Sequence, residues 1–367
     1  MKYKQDKIVV LANDDYLNGP SLAQFRFAKS LSSNNFKVDL LIAHRSYKYD
    51  LSRFDDGKIN FINLNKKRTI YLIWPLIKYL RKFKPDIIFS AGDHINLILI
   101  ISAILSFSKC KLSLSSRVTP YDTYQNKSKS TIMYYLFKLL SWRADVLTCV
   151  SKGMVEQYQK IFGKTKHVCV YNIIKDSDSE FLVNEKISDN WILNNKSPLI
   201  IAAGQLAPWK AFDDLLRAFV KIKKKIPHNL IILGDGPDRN KLVKIIEEEN
   251  IQDRVYMPGY VLNPLKYFKV SDIFVLSSLV EGMPNVLVEA MMCGCTPVST
   301  NCKTGPEEII KNNEFGYLSP INNHELLAEN ILKAIERPIS KDKLKMVVDQ
   351  FNSEKIVKKH FELLKST

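Results

Sequence analysis

Short β-branched runs alternate with longer amphipathic ones along this chain. IVVLAN (8–13) has the length and residue types of a strand, SLAQFRFAKSLSS (21–33) reads as a helix, and VDLLIAH (38–44) as the next strand. IIFSAG (87–92), LSLSS (112–116), VLTCVS (146–151) and VCVYN (168–172) continue the series. INLILIISAILSF (95–107) is apolar throughout, too short to span a bilayer, and predicts a buried helix. A polar stretch without strong periodicity follows at 175–198 and reads as an interdomain connection. The alternation then restarts with LIIAAG (199–204), the helix FDDLLRAFVKIKKKI (212–226), and strands at NLIILGDG (229–236), VYMPGY (255–260), IFVLSS (273–278) and TPVST (296–300).

This is βαβα order twice over, which predicts two doubly wound α/β domains with parallel sheets. A length of 367 residues suits two cores better than one. The expected boundaries are 1–178 and 179–350, with 351–367 forming a segment whose helix SEKIVKKHFELLK (353–365) packs near the N-terminal domain. Ligands in such sheets bind at the carboxyl ends of strands, so a cleft between the domains is the expected site.

Charge changes the picture more than overall composition does. The net charge is +16, and residues 1–180 hold 29 Lys and Arg against 15 Asp and Glu, or +14 of it. Such a half suits nucleic acid, an anionic membrane face or a phosphorylated substrate. No zinc-finger, RRM or helix-turn-helix pattern is present, which argues against nucleic acid. Two basic stretches are interleaved with aromatic and aliphatic residues. IYLIWPLIKYLRKFK (70–84) sets Trp74 and Leu76 among Lys78, Arg81, Lys82 and Lys84, and TIMYYLFKLLSWR (131–143) sets Tyr134, Phe137 and Trp142 beside Lys138 and Arg143. Each is either an interfacial membrane helix or a core-facing helix with a solvated basic edge. The start, MKYKQDKIVVLAN, lacks the apolar core of a signal peptide, so a cytoplasmic chain is expected. Cys110, Cys149, Cys169, Cys293, Cys295 and Cys302 have no metal-ligand spacing and read as reduced packing residues.

Candidate chemistry falls on loops that follow strands. In GDGPDR (234–239), Gly234 and Gly236 permit a tight turn close to a ligand, and AGQLAPWK (203–210) carries Lys210 to a strand end. EGMPNVLVEAMMCGCTPVST (281–300) sets Glu281 before a helix start and Glu289 about a turn inside it. Pro284 suits the first helical turn, which leaves the N–H groups of Asn285, Val286 and Leu287 as helix-start donors for an anion. Carboxylates on both sides of such a site can hold hydroxyls on both flanks of a diphosphate.

The stretch EGMPNVLVEAMMCGCTPVSTNCKTGPEEII resembles the Glu-x7-Glu signature of retaining GT-B glycosyltransferases of glycosyltransferase family 4. GQLAPWKAFDDLLRAF resembles that family's Gly-Arg-Leu…Lys-Gly segment, LGDGPDRNKL and YMPGYV stand at the expected places between them, and TCVSKGMVEQY and VYNI resemble the end of its N-terminal domain. The resemblance implies a GT-B fold, with an acceptor-binding N-terminal domain and a C-terminal domain that binds a nucleotide sugar. It implies that Glu281 holds donor sugar hydroxyls, that Glu289 holds the ribose diol, and that Lys210 neutralises the leaving diphosphate. Gly282, Asn285, Val286 and Leu287 would offer backbone N–H groups. Gly204, Gly234, Asp235, Tyr260 and Val261 would border the nucleotide, and Gly19 would approach the diphosphate from the NGPS loop (18–21).

Two positions depart from the family pattern. Gln205 stands where an arginine is usual, so a charge and a bidentate fork are missing unless Arg239 or Arg117 supplies them. Lys210-Ala211 replaces the usual Lys-Gly. On the acceptor side, Asp93 and His94 are expected to end one strand and Arg117 to follow another, with His94 either a structural or a site histidine.

The implied reaction moves a hexose or N-acetylhexosamine, with retention, from a UDP-sugar to an acceptor hydroxyl, by a front-face route that needs no protein nucleophile. No metal is expected: Asp176-Ser-Asp178 imitates a DxD motif but falls in the interdomain connection. The basic N-terminal half suggests a peripheral enzyme on the inner membrane face, acting on a glycan or polyprenyl-diphosphate-linked acceptor in bacterial surface polysaccharide or lipopolysaccharide synthesis. Alternatives are a UDP-sugar 2-epimerase of the same fold, a catalytically degenerate sugar-nucleotide-binding protein, and a basic nucleic-acid binder.

Overall fold

A computed structural model describes residues 6–366 apart from 18, 48, 121–127 and 164–165; the side chains of 128–131 also lie outside the described residues. The chain forms two units, Met1–Ile173 with Ser353–Thr367, and Ile174–Asn352.

The N-terminal unit is built on β1 (Ile8–Asp14), β2 (Val38–His44), β3 (Ile59–Asn63), β4 (Ile87–Ala91), β5 (Lys111–Ser116), β6 (Val146–Cys149) and β7 (His167–Cys169). They form one parallel sheet in the order β3-β2-β1-β4-β5-β6-β7. Ile8 to Ala12 are buried without alternation, as a parallel strand covered on both faces requires. The sequence pattern did not reveal β3. INFIN is short, half-exposed and carries Asn60 and Asn63, as befits an edge strand.

The final helix, Ser353–Lys365, belongs to this unit and completes its core. Ile356, Val357, Phe361 and Leu364 join Val10, Phe25, Leu31, Phe36 and Phe89. Phe361 stacks on Phe36 with centroids 5.0 Å apart. Lys111 Nζ donates to the Leu364 carbonyl at 2.6 Å, satisfying a helix-end acceptor. His360 lies edge-on to Phe27 and Phe89, and burial, then the Arg117 charge, holds its pKa down at about 3.

The second unit carries β8 (Leu199–Ala203), β9 (Asn229–Leu233), β10 (Val255–Gly259), β11 (Ile273–Leu276), β12 (Thr296–Thr300) and β13 (Tyr317–Ser319), all parallel, in the order β10-β9-β8-β11-β12-β13. Its core joins Ile200, Ile232 and Val275 of the sheet to Leu215 and Phe219 of the helix Phe212–Ile222 and to Ile331 of the helix His324–Glu336. The edge strand β13 has three residues and escaped the sequence pattern for the same reason as β3.

The stretch 175–198 is a folded part of this second unit, contrary to its reading as a connection. It holds the helices Ser177–Val183 and Asn190–Asn194, both too short to display a period. Caps sustain them: Asp176 accepts the Ser179 N–H at 2.7 Å, and Asp189 accepts from Trp191 and Ile192. Asn263 Nδ2 ties the first helix down at the Leu182 carbonyl, 2.8 Å away. Asp176 thus serves as a cap.

The two basic stretches turn out to differ. Both pack on the helix Asp93–Leu105, itself largely buried. The helix Ile73–Phe83 buries Leu76, Ile77 and Leu80 and leaves Trp74 71% exposed. The helix Ser128–Leu140 and the turn Ser141–Arg143 bury Phe137 and leave Ile132, Tyr135, Leu136, Leu139 and Trp142 facing solvent. That spacing draws an apolar stripe along an exposed helix.

Candidate active site

In the second unit, β8 ends at Ala203 and the chain turns through Gly204 into the short helical turn Pro208–Lys210. The turn aims Lys210 back over Gly204, whose missing Cβ would meet the lysine stem at 3.5 Å. Lys210 Nζ sits 2.5 Å from Glu281 Oε1, and both side chains are mostly buried. Two serines that follow β11 hold the pair. Ser278 Oγ donates to Glu281 Oε1 at 2.7 Å, and Ser277 Oγ donates to the Lys210 carbonyl at 2.8 Å. Thr304 Oγ1 donates to the Glu281 carbonyl. Burial, with Glu281 next, pushes the nearby Cys302 thiol up to about 12.

Ala211 follows at φ +46, the left-handed conformation that glycine adopts at little cost and alanine at about 1–2 kcal/mol. The family's Lys-Gly has a conformational reason that this chain overrides.

Pro284 directly precedes the helix Asn285–Cys293 rather than opening its first turn. The helix-start donors are accordingly not all available. The Asn285 N–H bonds the Met283 carbonyl at 2.9 Å and the Leu287 N–H bonds the Pro284 carbonyl at 3.0 Å. Among the described residues, the N–H groups of Gly282, Met283 and Val286 meet no acceptor. Anion-binding capacity therefore centres on Gly282, Met283 and Val286. Gly305, at φ +93, closes over this turn, since a Cβ there would collide with the Pro284 ring. Glu289 is buried within the helix.

The loop after β9 explains its glycines. Gly234 has φ +132, and a Cβ on it would lie on the Gly204 carbonyl oxygen. Its N–H donates to the Gly259 carbonyl at 2.8 Å, which joins the ends of β9 and β10. Asp235 is exposed and accepts the N–H of Gly236 at 2.8 Å. Arg239 donates from Nη2 to the Met257 carbonyl at 3.0 Å beneath this corner, and its buried Nη1 has no partner. Tyr260 is half-exposed and Val261 partly buried beyond it. Gln205 is exposed and makes no hydrogen bond among the described residues.

The N-terminal unit has its own pocket at the carboxyl ends of β1 and β4, its walls mostly apolar (Pro20, Ala91, Val118, Met133) with Asn13, Asp14, Asp93, His94 and Arg117 set among them. Asp93 and His94 begin the helix Asp93–Leu105 rather than end a strand, because Gly92 at φ +104 breaks the chain out of β4. Asp93 accepts from Ser116 at 2.5 Å and from the Tyr158 hydroxyl, so it is a support. His94 Nε2 lies 3.1 Å from Asn13 Oδ1, and burial holds its pKa below the usual value. Burial also lowers the Arg117 pKa to about 10, and among the described residues its Nε and Nη1 find no partner. Gly19, at φ +42, opens the helix Gly19–Ser33 next to Pro20 and Ser21 of the pocket; Asn18 lies outside the described residues.

Gly204, Lys210 and Glu281 meet within one unit, and His94 and Arg117 within the other. Sequence reasoning missed Thr304, and it missed Ser277 and Ser278, whose signal was a pair of hydroxyls placed just after an apolar strand and ahead of Glu281. It also missed Asn13 and Asp14, the polar end of an otherwise apolar β1.

Known proteins show the same arrangement of parts. Residues 183–350 match the family model described as Glycosyl transferases group 1, and residues 18–177 match Glycosyltransferase Family 4. An uncharacterized glycosyltransferase of Methanocaldococcus jannaschii is 33% identical over 272 residues, 69% of this chain and 67% of the relative. The N-acetylgalactosamine-N,N'-diacetylbacillosaminyl-diphospho-undecaprenol 4-alpha-N-acetylgalactosaminyltransferase of Campylobacter jejuni is 27% identical over 346 residues, 89% of this chain and 90% of the relative. The crystal structure of Anabaena HepE in complex with UDP superposes with a TM-score of 0.81 at 17% identity, covering 98% of this chain and 100% of that one. The chain belongs to glycosyltransferase family 4: it is a glycosyltransferase with the GT-B fold.

Proposed function

We propose that the enzyme transfers a hexose or N-acetylhexosamine, with retention, from a UDP-sugar to a hydroxyl of a glycan or polyprenyl-diphosphate-linked acceptor in bacterial surface polysaccharide or lipopolysaccharide synthesis. The observation that carries the donor half is the Lys210–Glu281 pair, set beside the unengaged N–H groups of Gly282, Met283 and Val286. A diphosphate taking charge as it leaves finds a fixed cation and amide donors in a dry corner, where such interactions count for most. Glu281, relieved of Lys210, accepts from sugar hydroxyls, and Glu289 holds the ribose diol. Tyr260, Val261 and the Gly234–Asp235 loop border the base.

Support for the donor comes from a solved structure of the same fold that holds UDP. Support for retention and for the acceptor comes from the C. jejuni relative, whose name specifies an alpha linkage and a diphospho-undecaprenol-linked acceptor. His94 and Arg117 face the acceptor side in this reading.

A thermal-shift series with UDP-, GDP-, ADP- and dTDP-sugars is expected to show stabilisation by UDP-sugars, with most of it lost in Glu289→Ala. Equal shifts from every base, or an unchanged Glu289→Ala, would sink the assignment. A shift of about 2.7 kcal/mol corresponds to ligand at a hundredfold excess over Kd.

The N-terminal unit supports a place of action at a membrane surface. No helix among the described residues is long and apolar enough to cross a membrane. The exposed stripe of Ile132, Tyr135, Leu139 and Trp142, with Trp74 and the surrounding lysines, suits peripheral binding to an anionic inner membrane face. Cosedimentation with vesicles containing anionic lipid is expected to fall sharply in Leu139→Glu/Trp142→Glu. No binding by the wild type at physiological salt would remove the membrane from the picture.

A further inference from the structure

We propose that Tyr16, Tyr47 and Tyr49, in the loops after β1 and β2, form a stacking surface for a sugar ring of the acceptor. The proposal rests on the reading that the N-terminal unit binds the acceptor, and deepens it by naming the acceptor as a saccharide at the point of contact.

The surface is built around Asp15, a fully buried carboxylate. Both its oxygens take the Ser46 N–H at 3.0 Å, Oδ1 takes the Ser46 hydroxyl at 2.8 Å, Oδ2 takes the Tyr47 N–H at 2.9 Å, and Arg45 Nε stands 3.3 Å away. A buried charge persists only with this degree of satisfaction. What these bonds fix is the backbone at Ser46 and Tyr47, with Tyr47 at φ +58, a conformation unfavourable for a bulky residue. The strained tyrosine is then left 64% exposed. Its ring is set in place, with the Arg45 guanidinium 5.1 Å from the centroid and the hydroxyl accepting from Asn65 Nδ2 at 3.1 Å. Tyr16, 40% exposed, meets Tyr49 edge-on at 5.6 Å, and Tyr49 rests on the core.

The aromatic surface adjoins the pocket through one carboxylate oxygen. Asp14 Oδ1 takes the Tyr16 N–H at 3.1 Å and the Ser21 hydroxyl at 2.6 Å, and Ser21 lines the pocket with Asn13 and His94. A pyranose has an apolar C–H face and a rim of hydroxyls. The tyrosine rings match the face, and the amide, carboxylate, hydroxyl and imidazole groups match the rim. A phosphate alone fits poorly, since Asp14 and Asp93 outnumber Arg117 on the pocket wall. An alkyl chain would want aliphatic side chains where these tyrosines stand.

The test is saturation-transfer NMR with methyl α- and β-glycosides of glucose, galactose, N-acetylglucosamine and N-acetylgalactosamine as probes, with UDP in the same sample. Wild type is expected to saturate the ring C–H protons of at least one glycoside. Tyr16→Ala/Tyr47→Ala should weaken binding roughly three- to tenfold per ring removed, while Tyr16→Phe/Tyr47→Phe retains most of it. The UDP signals should be equal in all three proteins, which also reports that the variants are folded. No glycoside saturation in wild type, or equal saturation in the alanine variant, overturns the proposal. Loss of UDP signals from wild type would instead overturn the donor site, leaving the glycoside comparison to judge the tyrosines.

Discussion

Lys210→Met is expected to lower kcat about 10²–10³-fold, the range seen when one preorganised charge-stabilising donor is removed. Lys210 is held from three sides: its carbonyl by Ser277, its stem against Gly204, its ammonium on Glu281. It is therefore in place before any ligand arrives, and catalysis incurs little reorganisation. The same ion pair gives Glu281→Gln an opposite signature on binding. In the free enzyme Glu281 competes with the diphosphate for Lys210, so the glutamine variant should bind free UDP more tightly even as transfer falls. Calorimetry with UDP, run beside turnover, separates the two effects. If Glu281→Gln weakens UDP as much as Lys210→Met does, the pair serves structure rather than the leaving group. Because removing one partner strands a mostly buried charge, Lys210→Met/Glu281→Gln is the stability control: it should be more stable than Lys210→Met alone.

The second large effect concerns Gly234→Ala. Two penalties coincide there: φ +132 disfavours any Cβ, and the Cβ itself would overlap the Gly204 carbonyl. Together they predict a loss of about 2–5 kcal/mol. Gly294→Ala is the matched control. Its φ is +101 but a Cβ there meets nothing within 4 Å, so only the backbone cost of about 1–2 kcal/mol remains. Urea midpoints of the two variants should differ in that order, and UDP affinity should drop in Gly234→Ala alone. Equal losses would show that the β9 loop yields and that the approach of Gly204 to Gly234 carries no weight.

The sheets were legible because buried parallel strands are continuous apolar runs: β2 (Val38–His44) and β12 (Thr296–Thr300) match the predicted stretches residue for residue. The final helix was legible through its period, Ile356, Val357, His360, Phe361 and Leu364 all being buried. The edge strands β3 and β13 and the five- to seven-residue helices were not, since their stability comes from caps and neighbours rather than from a pattern of their own. At the site, Glu281 and Lys210 could be named from motif spacing. Their direct contact could not, because it joins residues 71 positions apart through the ends of β8 and β11. At the helix start the spacing placed the turn, but the bonds from Asn285 to Met283 and from Leu287 to Pro284 depend on dihedral angles that no residue pattern states. The two basic stretches looked alike in sequence; both keep apolar residues in solvent, Ile70, Tyr71 and Trp74 in the first, and the second draws the longer exposed stripe.

The return of Ser353–Lys365 to the first unit has a consequence for biosynthesis. A ribosome delivers β1 to β7 long before Ile356, Val357, Phe361 and Leu364 exist. Until then Phe36 and Phe89 lack the side chains that cover them, and the nascent half must wait as an incomplete core while the whole second unit is made and folds. A chain released before Ser353–Lys365 is made would carry an open apolar seam in its oldest part. Chaperone demand and premature-stop sensitivity should therefore rise for stops that remove residues 353–365.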